Sequence, residues 1–214
     1  MSQSAPVKYE LVSKNGLGGI LSIGREALLK GFTLVPKNLV SWFFGGVARL
    51  KFPRPLNGFI NSAFIRLFNI DMTEAEHPME SYRTIEDIFT RKLKPDRRPL
   101  GGSWISPADG FLVKSEPVQQ GQGIQAKGYL YDISELIGEV GGDSKSFSWY
   151  QTVYLAPHNY HRVHAPSNGT LKKITYIPGE LWPVNETFLQ RIPRVFVRNE
   201  RLVFQVQGDH GGII

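Results

Sequence analysis

The chain has 214 residues, 41% of them hydrophobic and 21% charged, which is a globular balance with length for one domain and a sizeable core, or one domain plus an appendage. It contains no cysteine, which excludes disulfides and thiolate zinc sites. The net charge of +6 is unevenly placed: residues 1–70 hold nine Lys/Arg against two acids and residues 71–214 hold sixteen against seventeen, so the basic excess lies in the N-terminal third and points to anionic phosphate, of a nucleic acid or of a lipid surface.

Met1 to Lys14 reads as a loose polar start, followed by the apolar stretch "GGILSIGREALLKGFTLV". In "NLVSWFFGGVARLKF", Leu39, Val40, Phe43, Phe44, Val47 and Leu50 recur at helical spacing, with Trp42 at the margin and Lys37, Arg49, Lys51 and Arg54 flanking. The apolar run is far shorter than the ~20 residues of a spanning helix, and it lacks the cleavage site of a signal peptide. A basic, aromatic, amphipathic helix of this kind lies in a membrane interface or packs on the protein's own core. "RPLNGFINSAFIRLFNI" predicts a second amphipathic helix, apolar at Phe59, Ile60, Phe64, Leu67 and Phe68. "SYRTIEDIFTRKL" predicts a third, started by Ser81 or by Thr84 with Asp87, and "KPDRRPL" reads as the turn that ends it.

After Leu100 the texture changes to short β-rich runs between Gly/Pro turns: "GFLVKSEPV", "GIQAKGYL", "QTVYLA", "GTLKKITYI", "RVFVRNE" and "RLVFQVQ". One helix, "DISELIG", interrupts them, capped by Asp132 or Ser134, and "QGDHGGII" looks like the opening of another strand. The expected fold class is α+β. Residues 1–14 form a loose N-terminus, 15–99 a helical region, and 100–214 a mainly antiparallel β-rich domain, incomplete at its C-terminus.

Four segments carry candidate chemistry. In "SPADGFLV", Asp109 precedes Gly110 at the mouth of an apolar strand; it reads as a turn residue or as a carboxylate that orients an imidazole. "YLAPHNYHRVHAPSNG" holds His158, His161 and His164, three of the five histidines of the chain. They read as structural capping residues, as acid–base groups titrating near neutral pH, or as zinc ligands, although Arg162 between them adds unwelcome positive charge for a cation. In "YIPGELWPVN", Gly179 fits a turn, Trp182, Pro183 and Val184 an apolar wall, and Asn185 a single amide donor. "RNER", Arg198 to Arg201, reads as a hairpin turn or as an anchor for an anionic headgroup.

Taken in order, "SYRTIEDIFTRKLKPDRRPL", "SPADG", "QAKGYLYDISELIG", "YLAPHNYHRVHAPSNG", "PGELWPVN" and "FVRNER" resemble the phosphatidylserine decarboxylases over roughly residues 45–210. The resemblance implies conversion of phosphatidylserine to phosphatidylethanolamine through a Schiff base with a pyruvoyl group. That group is made when a serine in a Leu-Gly-Ser-Thr-like motif attacks its own preceding peptide bond and splits the chain into β and α subunits. By position, Asp109 and His164 match the family's triad aspartate and histidine, and His161 matches the histidine that assists decarboxylation. His158 has no such counterpart, Trp182 and Asn185 are candidates for binding the substrate headgroup, and no metal ligand is implied. The N-terminal helices match the region that sits on an anionic phospholipid surface, where each nearby Lys or Arg adds ~1 kcal/mol. The implied location is peripheral, on the cytoplasmic side of the inner membrane. The implied partners are the membrane, phosphatidylserine and the α subunit, with a homodimer possible and nucleic acid unlike the pattern.

The sequence contains no Leu-Gly-Ser-Thr motif. The expectation is therefore a β-chain portion that lacks the pyruvoyl-forming serine and is inactive alone. The alternative is a non-catalytic remnant that binds anionic phospholipid.

Overall fold

The computed structural model describes residues 37–124, 129–139, 147–209 and 211–213, all within the unit Lys37–Ile214. The stretch "GGILSIGREALLKGFTLV" lies outside the described residues. Helix α1 spans Lys37–Ala48 and α2 Arg54–Phe68; Pro55, fixed in φ and lacking an N–H, fits the first turn of α2. Asn69 leaves α2 in the left-handed conformation, and the Ile70 amide donates to Ile65 O at 2.9 Å. The buried stripe of α2 only partly follows the aromatic one the sequence suggests. Asn57 and Asn61 turn inward, and both Nδ2 groups donate to Tyr82 O, at 3.0 and 2.9 Å. Phe64, Ile65 and Phe68 pack beside them on Ile70, Ala75, Tyr82 and Ile88. Phe59 (72% exposed) and Leu67 (76%) face outward, as do Leu39, Trp42, Phe43 and Phe44 of α1.

A 3₁₀ turn at Met79–Ser81 leads to α3, Ile85–Phe89. Thr84, not Ser81, is the cap: its Oγ1 accepts from Asp87 N at 3.0 Å, while Asp87 Oδ2 accepts from Arg83 N at 3.1 Å. The helix is much shorter than "SYRTIEDIFTRKL" predicts. Its continuation is drawn into extended pairing, with Glu76 N donating to Lys92 O and Lys94 N to Glu74 O, both at 2.9 Å.

The remainder is built of three small antiparallel sheets. Strand β1 (Phe111–Pro117) pairs with β4 (Trp149–Tyr154), and β2 (Gln122–Ile124) pairs with β3 (Leu130–Asp132). Strands β5 (Gly169–Ile177), β6 (Arg201–Gly208) and β7 (Gly211–Ile213) form the third sheet in that order. Helix α4, Ile133–Ile137, starts at Asp132, whose Oδ1 accepts from Ser134 N at 2.8 Å, and stops at Gly138 in the left-handed region. With Tyr131, Ile133 and Ile137, Val203 of β6 closes a second core. The opposite face of β5–β6 is apolar and open: Ile174 pairs with Phe204 and Tyr176 with Leu202, all four exposed.

One strand expectation fails. "RVFVRNE" contains helix α6, Val195–Arg198, following the short helix α5, Glu186–Leu189. Val195 is fully buried, and Phe196 and Val197 pack against the Tyr131 core. Three consecutive inward residues suit a helical turn docked in a corner, not an alternating strand. Accordingly Arg198–Arg201 is no hairpin turn, because Arg198 ends α6 and Arg201 begins β6.

Candidate active site

The loops that carry Asp109 and the histidines lie side by side because β1 and β4 are partners. Phe111, at the start of β1, lies opposite Tyr154, at the end of β4. The loop entering β1 carries Asp109, and the loop leaving β4 carries the histidines. Gly110 makes this junction possible, since a Cβ there would sit 2.4 Å from Tyr154 O. The two loops then run side by side: His164 N donates to Pro107 O at 2.8 Å, Ile105 N to Pro166 O at 2.9 Å, and Tyr160 N to Asp109 Oδ2 at 3.3 Å.

The end of α3 grips the same loop through three consecutive residues. The Phe89 ring lies 3.8 Å from the His161 ring, Thr90 O accepts from Arg162 Nε at 2.9 Å, and Arg91 Nη2 donates to His158 O at 3.0 Å. Arg91 is 4% exposed. A cavity of about 170 Å³ lies here, lined in part by Arg91, Arg98, Asp109, His158, Asn159 and Tyr160.

The three histidines occupy different surroundings. His158 sits in a turn and is exposed, with its ring edge-on to Phe111 at 6.1 Å. His164 is exposed in an irregular stretch, with Tyr160 5.8 Å from it. The stretch is not helical, so no regular helical spacing aligns the three imidazoles. His161 is half-buried, and burial pushes its imidazole below the usual range, favouring the neutral ring at pH 7. Its Nδ1 lies 2.9 Å from Asn159 O. A carbonyl oxygen only accepts, so Nδ1 carries the proton and Nε2 presents a lone pair.

Asp109 is held by a residue that sequence reading left in a turn. Arg98 Nε donates to Oδ1 and Nη2 to Oδ2, both at 3.0 Å, and Glu74 binds the same guanidinium. This pairing holds the Asp109 carboxyl below the usual carboxylate range, against the opposing pull of burial. A depressed folded pKa adds stability above the unfolded value near ~3.9, and that stability is lost as pH falls through the folded value. The urea midpoint of the wild type should therefore fall more steeply between about pH 5 and pH 2 than that of Asp109→Asn. Parallel profiles would show that this carboxylate contributes nothing.

Trp182 and Asn185 lie in a separate set of contacts. Trp182 is 6% exposed; its Nε1 donates to Glu180 Oε2 at 2.6 Å, and Asn199 brackets its backbone, accepting from Trp182 N at 2.9 Å and donating to Trp182 O at 2.8 Å. The Arg198 guanidinium lies over its ring at 5.2 Å and pairs with Glu180. Asn185 is exposed, and its Oδ1 accepts from Phe188 N at 3.3 Å at the start of α5. Arg201 spends its donors on the carbonyls of Glu135, Leu136, Val197 and Asn199.

The family model described as phosphatidylserine decarboxylase matches residues 85–214, from α3 through both loops to β7. The chain belongs to the phosphatidylserine decarboxylase family. It is 41% identical over 188 residues to a phosphatidylserine decarboxylase proenzyme of Shewanella amazonensis, covering 83% of this chain and 64% of that protein. Proenzymes of the same name from Myxococcus xanthus and Bordetella pertussis are 38% and 39% identical, over 83% of this chain and 65% and 62% of theirs. The chain thus spans less than two thirds of the length of these decarboxylase relatives. Arg98, Asp109 and the three histidines all fall inside the matched region. Glu74, Arg98 and Phe89 escaped sequence reading. The signal available for Arg98 was an arginine pair beside an acid in "KPDRRPL", which looks like any solvated turn.

Proposed function

We propose that this chain is the β-subunit portion of a pyruvoyl-dependent phosphatidylserine decarboxylase, with residues 100–214 as its catalytic domain and residues 15–99 as its membrane-associating region. The observation that carries the reading is the β1–β4 junction, which sets an ionised carboxylate beside a loop of histidines in a chain of this family. The donor set suits a self-cleaving serine and its product: Asp109 can orient an imidazole, His164 can take a hydroxyl proton, and His161 offers a neutral Nε2. The pyruvoyl ketone would supply the electron sink for loss of the substrate carboxylate. Asp109 and His164 serve the self-cleavage that makes the group, and His161 handles the proton that replaces CO₂, taking it up on Nε2 before passing it on. Trp182 and Asn185 border the headgroup site. The serine is not among these 214 residues, so alone they form no pyruvoyl and do not decarboxylate. The α subunit is the partner released by cleavage, and the open apolar face of β5–β6 has the chemistry to receive it. A mass measurement on the chain joined in frame to a Leu-Gly-Ser-Thr-bearing segment tests this: two chains and a pyruvoyl terminus are expected, and an uncleaved, fully folded product would refute it.

The substrate is an anionic lipid, and the surface offered to it is the outer side of α1 and α2. Among the described residues no helix is long and apolar enough to cross a membrane. Trp42 (75% exposed), Phe43, Phe44, Phe59 and Leu67 present apolar area, with Arg49 and Lys51 between the helices and Arg54 at the start of α2. This suits peripheral seating on an anionic leaflet, such as the cytoplasmic side of the inner membrane. Co-sedimentation with phosphatidylserine-containing vesicles should drop about tenfold or more for each of Trp42→Asp and Phe59→Asp, given what burial of one large side chain contributes. Equal binding to neutral and anionic vesicles would contradict the electrostatic part.

A further inference from the structure

A carboxylate offers about four lone-pair sites, and three of those on Asp109 are taken. Oδ1 accepts from Arg98 Nε at 3.0 Å; Oδ2 accepts from Arg98 Nη2 at 3.0 Å and from Tyr160 N at 3.3 Å. The fourth site is on Oδ1. Arg98 is equally committed, because a guanidinium has five N–H donors and five contacts are made. Besides the two to Asp109, Nη1 donates to Glu74 Oε1 at 3.3 Å and to Arg97 O at 2.9 Å, and Nη2 donates to Glu74 Oε2 at 3.0 Å. No donor is left for an anionic headgroup, so Arg98 does not bind substrate.

We infer that Arg98, clamped from behind by Glu74, is a positioning residue that fixes Asp109 so that one acceptor site, on Oδ1, is presented to the His164 imidazole. The inference rests on the proposed pairing of Asp109 with His164. Its logic is geometric. A lone carboxylate rotates about its final torsion and can offer any of its lone pairs. Two parallel N–H bonds from a planar fork, plus the Tyr160 amide, stop that rotation. The segment that carries Asp109 is pinned to the histidine loop by the bond from His164 N to Pro107 O. The charged groups around the carboxylate are Arg98 and Arg91, opposed by Glu74 and Asp71, with His158 on the loop side of the cavity. Lysine in place of Arg98 would keep the charge and lose the fork.

The test is nuclear magnetic resonance of the isotopically labelled 214-residue chain, following the imidazole N–H of His164 and its exchange with water. A hydrogen-bonded signal is expected in the wild type, with exchange about tenfold faster or more in Asp109→Asn, Arg98→Met and Arg98→Lys, from loss of a charge-assisted bond. The His161 signal, held by Asn159 O, is the fold control and should not move. If Arg98→Met loses that control as well, Glu74→Gln decides, and it should speed His164 exchange while keeping the His161 signal. A wild-type signal indifferent to Asp109→Asn would overturn the pairing itself. A signal lost in Asp109→Asn but unchanged in Arg98→Lys, and in Arg98→Met or Glu74→Gln, would leave the pairing intact and overturn the positioning role.

Discussion

Asp109→Ala, placed in the protein extended to include its self-cleaving serine, is expected to remain a single chain. The carboxylate does not touch the serine in this account; it holds the His164 imidazole in one tautomer and stabilises the charge that forms as the hydroxyl proton is taken. Replacing a triad carboxylate costs roughly 10⁴-fold in comparable chemistry, which for a once-only cleavage turns minutes into weeks. Asp109 is well placed to be ionised for this, because Arg98 holds its pKa down. Unimpaired cleavage in Asp109→Ala, followed on a denaturing gel over several days, would remove Asp109 from the machinery. The variant must keep its fold, and the β1–β4 pairing gives reason to expect that, since it rests on backbone bonds and on Gly110, not on the carboxylate.

His161→Ala should separate the two halves of the chemistry. Cleavage is expected to proceed, while phosphatidylethanolamine formation falls by about 10²–10⁴-fold, the usual contribution of one positioned acid or base. The structure supplies the reason. Burial favours the neutral His161 ring, with Nδ1 tied to Asn159 O and the ring against Phe89. As the imidazole is kept neutral, the loss should appear in turnover more than in substrate affinity. A His161→Ala protein that decarboxylates at the wild-type rate would show this ring to be only a packing partner of Phe89.

Legibility in the sequence varied with the physical origin of each feature. β5 and β6 were readable because their signals are local: a run of β-branched and aromatic residues bounded by turns. The α4 boundary was readable at Asp132 for a similar reason, a capping side chain followed by its helix. The failures share the opposite origin. "VFVR" has strand-like composition, but Phe196 and Val197 enter a corner formed largely by residues some sixty positions earlier, and tertiary contact overrode propensity. Asn57 and Asn61 look like the polar side of α2, yet they face the protein because both find the Tyr82 carbonyl. Of the site, the residue types and their adjacency in the chain could be read, and the family resemblance supplied their roles. What could not be read was who holds Asp109. Arg98 lies eleven residues before it and Glu74 twenty-four before Arg98, and no local pattern encodes such a clamp.

We propose that neighbouring histidines of one loop do different work, His164 in making the cofactor and His161 in using it. The most direct measurement is the intact mass of His161→Ala and His164→Ala side by side, in the protein that carries the serine. The predicted result is two chains from His161→Ala and one unbroken chain from His164→Ala, both folded. Two chains from His164→Ala would contradict it.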